Sequence, residues 1–219
     1  MPKSVAVIAL FLSSVDEILN NCTFGENCGG IVLKDGRLKV TGGTVTGTWY
    51  RGNSGYRWNT GQTIDLGLSS YRPAAFANIG GYIGLHAISV NLGQTFVLGK
   101  SAYGLQITGC QVFSGKSGST RPGSTPGFHG FIDIVANPES RTALVITGNI
   151  FRVSADAEGA DTGFVLNQVG PFNGCVFANN ILGYHEGATM ELPSITAPSL
   201  YDADNGNVTG NAVRVFLGL

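Results

Sequence analysis

Charged side chains are scarce in this chain. Of its 219 residues, 13 are Lys or Arg and 14 are Asp or Glu, a charged fraction of 12%, about half of the roughly 25% typical of soluble domains. The formal net charge of −1 gives little support to nucleic acid as a partner, because phosphate binding depends on clustered positive charge. With so few charges, we expect part of the surface to be covered by further copies of the same chain.

Long apolar segments and helical patterns are also missing. The longest apolar run, Val5 to Leu12, has eight residues, far below the ~20 needed to cross a bilayer, so we expect no membrane insertion. No long stretch sustains the 3.6-residue period of an amphipathic helix, and glycine, with 33 residues, is about twice its average usage of roughly 7%. This composition predicts a single all-β domain.

Motifs of familiar site chemistry do not occur. The four cysteines, at positions 22, 28, 110 and 175, form neither a zinc spacing nor a CxxC pair. Cys22, Cys110 and Cys175 each follow a small turn residue and come shortly before an aromatic, which predicts buried packing thiols. There is no Ser-His-Asp pattern, phosphate-cradling glycine loop or metal-spaced histidine cluster. We therefore expect no cofactor and no metal site.

The clearest positive signal is a repeat. Asn149, Asn180 and Asn211 recur at one constant interval, in segments that read Ile-Thr-Gly-Asn-Ile-Phe, Phe-Ala-Asn-Asn-Ile-Leu and Val-Thr-Gly-Asn-Ala-Val. In a fourth copy, at a longer interval before Asn149, Cys110 takes the place of the Asn. Self-similarity at a fixed period of about 20–50 residues is typical of chains that coil and stack on themselves. Before residue 105 the sequence is less regular, and the repeat does not show which residues occupy equivalent positions in successive coils.

The residues around each repeated Asn alternate in polarity. Alternation indicates strands, because side chains switch faces at every step, and apolar residues at one phase of each copy then stack along a common interior. Buried Asn side chains in successive coils hydrogen-bond along such a stack. The repeat therefore predicts an inward Asn ladder at a corner between two short strands.

The whole chain is predicted to form one domain in three parts: a first strand and cap at 1–30, coils at 31–213 and a docked C-terminal tail at 214–219. Ser14-Val15-Asp16-Glu17 has the form of a capping box, which predicts one or two helical turns through Leu19 that plug the open end of the coil. Lys116 to Gly127 has no core-forming residue, which predicts a loop projecting from one corner.

The Ile-Thr-Gly-Asn and Val-Thr-Gly-Asn segments resemble the right-handed parallel β-helix of the pectin-lyase-like superfamily. The richness in Gly, Ser, Thr and Asn with low charge is similar to the tailspike and tail-fibre proteins of bacteriophages, over roughly residues 105–213. The resemblance implies a homotrimer in the virion, outside the cell, that binds bacterial surface polysaccharide, and many such spikes cleave it with carboxylates. The Asp/Arg-rich site of calcium-dependent pectate lyases is lacking here, which argues against that activity.

Candidate catalytic residues come from aligning the coils on Asn149 and Asn180. Asp156 and Glu158 then fall near the same corner as Glu186 on the adjacent coil, with His185 beside it. Coils are about 4.8 Å apart, and two carboxyl groups at ~5–5.5 Å or ~6.5–9.5 Å suit retaining or inverting glycosidases. Acids in loops are most often simply solvated, so both interpretations remain open.

An aromatic and basic cluster supplies the candidate substrate-binding residues, which are Trp49, Tyr50, Arg51, Tyr56, Arg57 and Trp58. Aromatic faces stack on sugar rings, and Arg forks onto carboxylates. Trp, Tyr and Arg are equally enriched at subunit interfaces, so a trimer contact is the alternative.

Charge is unevenly distributed. Residues 34–121 contain nine Lys or Arg and two acids, whereas 153–213 contain seven acids and no Lys or Arg. These halves attract each other within or between chains, or they form a basic face for an acidic polymer and an acidic face for catalysis. Three hypotheses follow: a trimeric spike that recognises host polysaccharide, a polysaccharide hydrolase or lyase on the same fold, and a purely structural trimeric rod.

Overall fold

The chain forms parallel strands that return to the same three walls, coil after coil. The computed structural model describes residues 10–24, 31–46, 74–92, 95–99, 104–114, 132–134, 144–153, 166–167, 175–185 and 208–216. All strand pairings within these residues are parallel. The described part is therefore all-β, with a strongly curled parallel sheet, as in a parallel β-solenoid.

Each complete coil contributes three strands. In chain order the strands are β1 (Leu10–Leu12), β2 (Val15–Asn20), β3 (Thr23–Phe24), β4 (Ile31–Leu33), β5 (Gly36–Thr41), β6 (Thr44–Thr46), β7 (Ala74–Asn78), β8 (Tyr82–His86), β9 (Ser89–Leu92), β10 (Thr95–Gly99), β11 (Leu105–Thr108), β12 (Gln111–Ser114), β13 (Ile132–Ile134), β14 (Val145–Thr147), β15 (Ile150–Val153), β16 (Leu166–Asn167), β17 (Val176–His185) and β18 (Val208–Phe216).

Three walls result. The first wall is the six-stranded sheet β1-β4-β7-β10-β13-β16. The second wall contains β2, β5, β8, β11 and β14, and the third contains β3, β6, β9, β12 and β15. Because β17 and β18 run through both the second and the third wall, these two walls form one twelve-stranded sheet.

The strand register shows how long each coil is. Asp16 pairs with Arg37, so the shortest described coils have 21 residues. Ile31 pairs with Phe76 across a coil more than twice as long, which explains why sequence repeats could not phase this part of the chain. Ile150 pairs with Ile181, and Ile181 with Ala212, which confirms the 31-residue repeat as one turn of the coil.

The core lies inside the three walls, where buried apolar side chains stack from coil to coil. One column in the second wall contains Val40, Leu85, Ile107, Ile146 and Phe177, all at most 4% exposed. In the first wall, the rings of Phe76 and Phe96 meet edge to face at 5.7 Å, an arrangement that aromatic pairs favour. Each coil buries its apolar side chains only against the coils on either side, so the stability of a coil depends on its neighbours.

The corner between the second and third walls is formed by a column of left-handed residues. Six described residues in successive coils have positive φ, and they are Asn21, Gly42, Ala87, Gly109, Gly148 and Asn179. A left-handed residue turns the chain sharply between two extended strands, and Gly and Asn tolerate it best. Gly109 before Cys110 and Gly148 before Asn149 suit this corner, and Asn179 takes the same conformation before Asn180.

The predicted Asn ladder is confirmed for Asn149 and Asn180. Asn149 Oδ1 accepts from Cys110 N at 2.9 Å, and its Nδ2 donates to Ile107 O at 2.9 Å. Asn180 repeats both contacts one coil later, accepting from Asn149 N and donating to Ile146 O. Each Asn thereby satisfies an inner N–H and a carbonyl that the sharp corner removes from the strand ladder. Asn211 follows in register, and its side chain lies outside the described residues.

The predicted N-terminal helix is wrong. Residues 15–20 form the strand β2, which pairs with β5 over its whole length. Ser14 has a φ of 56°, whereas an N-cap residue needs an extended backbone. Its N–H donates to the Asp35 carboxylate of the next coil, which takes the place of Glu17 in a capping box. A contact with the following coil thus overrides the local motif.

The cysteine pattern is confirmed only in part. Cys110 and Cys175 are buried, and Cys22 is half-buried. Cys22 and Cys110 occupy equivalent positions in different coils. The residues that follow them, Thr23 and Gln111, are connected by successive strand pairings through Thr44 and Ser89. Cys175 instead precedes the second-wall strand β17, so its matching position in sequence does not match in space.

Candidate functional site

The four longest connections of the solenoid start from one edge. Segments 47–73, 115–131 and 154–165 each follow a third-wall strand, and 186–207 follows the third-wall part of β17, whereas the shorter segments 135–143 and 168–174 follow first-wall strands. These segments lie outside the described residues. Because the third-wall strands lie side by side in one sheet, the four longest segments begin at the same edge of the solenoid.

The predicted substrate-binding residues fall in one of these segments. Trp49, Tyr50, Arg51, Tyr56, Arg57 and Trp58 belong to 47–73, between β6 and β7. Their side chains lie outside the described residues, so their role as a sugar-binding cluster stays a prediction. The loop predicted at 116–127 likewise belongs to the segment between β12 and β13.

The predicted catalytic residues follow two neighbouring third-wall strands. Val153, at the end of β15, pairs with Tyr184 near the end of β17. Asp156 and Glu158 come shortly after Val153, and Glu186 comes shortly after Tyr184. These three acids lie outside the described residues. The backbone of His185 ends β17, but its side chain also lies outside them, so the catalytic pair stays a prediction.

A polar cluster on the outer face of the second wall is described in full. Its centre is Gly84, whose register neighbours are Lys39 on β5 and Gln106 on β11. Tyr82 and His86 lie two positions before and after Gly84, on the same outward face of β8. We call Lys39, Tyr82, Gly84, His86 and Gln106 the Gly84 cluster.

Side chains of the Gly84 cluster bridge adjacent coils. Tyr82 Oη donates to Gln106 Oε1 at 2.5 Å, and His86 Nδ1 lies 2.5 Å from Thr108 Oγ1. Partial burial lowers the pKa of His86, and the nearby Lys39 ammonium lowers this pKa further. The imidazole is therefore neutral at pH 7, with one ring nitrogen held by Thr108.

Sequence reasoning missed this cluster. A local signal existed, because Tyr82, Gly84 and His86 alternate with the apolar Ile83 and Leu85, as outward residues of a strand do. The other members come from the preceding and the following coil, and the register makes the preceding coil more than twice as long as the following one. No repeat in the sequence indicates those two coil lengths.

Further charged contacts lie at the N-terminal coils. Arg37 Nη2 and Asp16 Oδ2 are 2.7 Å apart in an exposed ion pair, and the side-chain hydrogen bond from Arg37 lowers the pKa of Asp16. The backbone N–H of Ser14 lowers the pKa of Asp35. Exposed pairs of this kind contribute little to stability, so they act mainly to fix the register of the first two coils.

The buried thiol of Cys110 is not poised for chemistry. Burial raises its pKa to about 11, and its Sγ contacts the carbonyl oxygens of Leu85 and Thr108 at 3.6 Å. A protonated, enclosed thiol is a poor nucleophile and a poor metal ligand. Among the described residues, no group of three or more His, Cys, Asp or Glu is placed to hold a metal ion, and we find no membrane-length apolar helix there.

Comparison with protein-family models, with curated proteins and with solved structures finds no match. The fold and the placement of the candidate residues therefore carry the functional argument.

Proposed function

We propose that this chain is part of a phage tailspike or tail fibre that recognises bacterial surface polysaccharide during host attachment. The observation that carries the proposal is the edge from which the four longest connections start. This edge brings the beginnings of the aromatic segment 47–73 and of the acid-bearing segments 154–165 and 186–207 to one side of the solenoid.

The spacing of these segments suits an extended polymer. β6 and β15 are separated by β9 and β12 along the third wall, which is three strand spacings or about 14 Å. A short ligand does not reach from one segment to the other, whereas a polysaccharide of several sugar units does. Aromatic rings for stacking at one end and hydrogen-bonding carboxylates at the other then act on the same chain.

Binding to purified capsule or O-antigen polysaccharide tests this function. We expect the wild-type chain to bind at least one such polysaccharide, and Trp49→Ala combined with Trp58→Ala to weaken binding by at least about tenfold, since buried aromatic anchors carry much of an interface's energy. Lys34→Gln, at an exposed corner between the first and second walls, is the control and should bind as wild type. Failure of the wild type to bind any polysaccharide of a broad panel contradicts the proposal.

A second candidate function is cleavage of the bound polysaccharide by Asp156 or Glu158 together with Glu186. It is favoured by the pairing of Val153 with Tyr184, which starts the two acid-bearing segments one strand spacing apart, about 4.8 Å. Glu158→Gln and Glu186→Gln should then abolish release of reducing ends or unsaturated products while binding persists. Cleavage that survives both substitutions contradicts this assignment.

The homotrimer is part of the proposal. Val145 and Val176 form an outward pair in the second wall, and Ile150 and Ile181 form one in the third. These aliphatic side chains are only half-buried in one chain. Packing against further copies would remove them from water, in line with the low charge of the whole sequence.

A further inference from the structure

We propose that the Gly84 cluster on the outer face of the second wall is a subsite for an acidic sugar residue. The subsite rests on the proposed function, because its ligand is a polysaccharide, and it names the class: a polymer that contains uronic acid. It lies on a different wall from the edge that carries the Trp49 and Glu158 segments.

The shape of the cluster comes from the missing side chain at Gly84. A Cβ built on Gly84 would lie 3.0 Å from His86 Nε2, 3.5 Å from Tyr82 Cε1 and 3.7 Å from Tyr82 Oη. The imidazole and the phenol therefore lean over the glycine from both sides. Lys39 and Gln106 flank the same residue on the two adjacent coils. Four polar side chains thus converge on one point of the outer surface.

The charge of the cluster selects an anion. Lys39 is exposed, and no carboxylate of the described residues pairs with it. The neighbouring cation Arg37 is already paired with Asp16. The strands packed against β8 in the second wall are β5 and β11. On the face shared with His86, β5 carries the charged residues Lys39 and Arg37, and β11 carries only the uncharged Gln106 and Thr108. The outer surface here has an unbalanced positive charge for a ligand carboxylate.

The hydrogen-bonding groups select a sugar over a bare anion. His86 Nδ1 is held by Thr108, which leaves Nε2 directed over Gly84. A neutral imidazole nitrogen offers one donor or one acceptor, and a sugar hydroxyl satisfies either. Gln106 adds an amide, and Tyr82 adds an aromatic face beside it. A carboxylate on Lys39 and ring hydroxyls on His86 and Gln106 would use every group in the cluster.

A purely structural role for the cluster predicts a different result. If Tyr82–Gln106 and His86–Thr108 serve only to tie coils together, substitutions there change thermal stability and leave ligand binding alone. Lys39 takes part in neither of these two hydrogen bonds, so Lys39→Gln separates the two roles. Gly84→Ala also tests the site, because the added methyl displaces the imidazole at 3.0 Å.

Calorimetric titration of the full chain with oligogalacturonate and alginate oligosaccharides tests the subsite, with neutral galactose oligosaccharides and inorganic phosphate as comparisons. We expect Lys39→Gln to weaken binding of an acidic oligosaccharide about tenfold, the effect of one charge-assisted contact, and Lys34→Gln to leave it unchanged. The His86 ring signals in NMR spectra should shift on titration with the acidic oligosaccharide.

The outcomes separate the two proposals. If the wild type binds bacterial polysaccharide but Lys39→Gln and Gly84→Ala bind acidic oligosaccharides as tightly as the wild type, the subsite is overturned and the proposed function survives. Inorganic phosphate that binds as tightly as the oligosaccharide also overturns it, because the cluster is then an anion site only. If the wild type binds no polysaccharide or oligosaccharide at all, both proposals fail.

Discussion

At the residue scale, the corner column concentrates most of the backbone constraint. Five of its six described left-handed residues are Gly or Asn, and Ala87, with a φ of 52°, is the exception. The left-handed region costs an L-residue with a Cβ roughly 1–2 kcal/mol. Ala87 therefore carries a strain that Gly109 and Gly148 avoid at the same position of later coils.

We expect Ala87→Gly to raise the free energy of unfolding by up to about 1 kcal/mol, because relief of strain outweighs the added backbone entropy of glycine. Gly109→Ala should lower it by about 1 kcal/mol, the cost of a Cβ in the left-handed region. The space there is open, since the nearest atom to an added Cβ is Ala87 N at 3.9 Å, so only the backbone conformation opposes the change.

Chemical denaturation measures both effects. Gly210→Ala is the matched control, because an added Cβ there meets nothing within 4 Å and Gly210 does not have a left-handed φ. A similar loss of stability in Gly109→Ala and Gly210→Ala would show that the left-handed corner is not the cause.

The lowered pKa of His86 predicts how the stability of the fold depends on pH. Burial and Lys39 lower its pKa from the ordinary 6.5, so the unfolded chain binds a proton more readily than the folded one. The stability contributed by neutral His86 is complete above about pH 6.5 and is lost as the pH falls through the folded pKa. Lys39→Gln should raise the folded pKa of His86, and NMR titration of the imidazole measures it.

Lys34→Gln is the control for that titration, since it removes a positive charge from the same coil at a different face. An unchanged His86 pKa in Lys39→Gln would mean that burial alone sets it. It would also weaken the case for Lys39 as part of the Gly84 cluster.

At the element scale, the Asn ladder replaces backbone hydrogen bonds where a coil turns its sharpest corner. Asn149→Ala leaves Cys110 N and Ile107 O buried without partners, and each unsatisfied group costs about 1–3 kcal/mol. We expect a loss of roughly 2–4 kcal/mol in the free energy of unfolding by the same reasoning. Denaturant titration measures it.

Asn179→Gly is the control for the ladder, since Asn179 is exposed and left-handed and glycine keeps that conformation. It should stay within about 0.5 kcal/mol of wild type. A loss of similar size in both variants would place the effect in the corner backbone and not in the ladder side chain.

Among the described strands, β2 lies at the edge of the twelve-stranded sheet. Glu17 is exposed, although its register partners Leu38, Ile83 and Leu105 are buried. A charge in an inward column of an edge strand opposes pairing with another sheet. We expect Glu17→Leu to increase self-association, measured by light scattering, whereas Glu17→Lys should behave as wild type. Equal association of the two variants would contradict an edge-protecting role.

At the scale of the whole molecule, the four longest connections of the solenoid start from one edge, and its outer faces differ in chemistry. The outer face is polar around Gly84 and becomes aliphatic at Val145, Val176, Ile150 and Ile181. We expect sedimentation equilibrium to give a mass of three times the 22.8 kDa of one chain. A monomer would remove the explanation of the low charge as buried subunit surface.

The part of the fold that could be predicted is the part where coils repeat with one length. Asn149 and Asn180 are one constant repeat apart and stack, so alternation and spacing together were sufficient. The coil from Ile31 to Phe76 is more than twice as long as the coil before it, and no periodic signal survives that insertion. For the same reason Lys39 and Gln106 could not be placed beside Gly84. At Ser14, a hydrogen bond to Asp35 overrode a motif that is correct only when local contacts decide.

The sequence by itself determined that the chain is all-β and that its later coils repeat, because alternation, glycine turns and a recurring Asn are properties of short segments. Only the tertiary structure decided which residues share a coil position, that β2 is a strand, and that Lys39, Tyr82, His86 and Gln106 meet over Gly84. The reason is that lateral neighbours in a solenoid are a full coil apart in the chain, and the lengths of the described coils vary more than twofold.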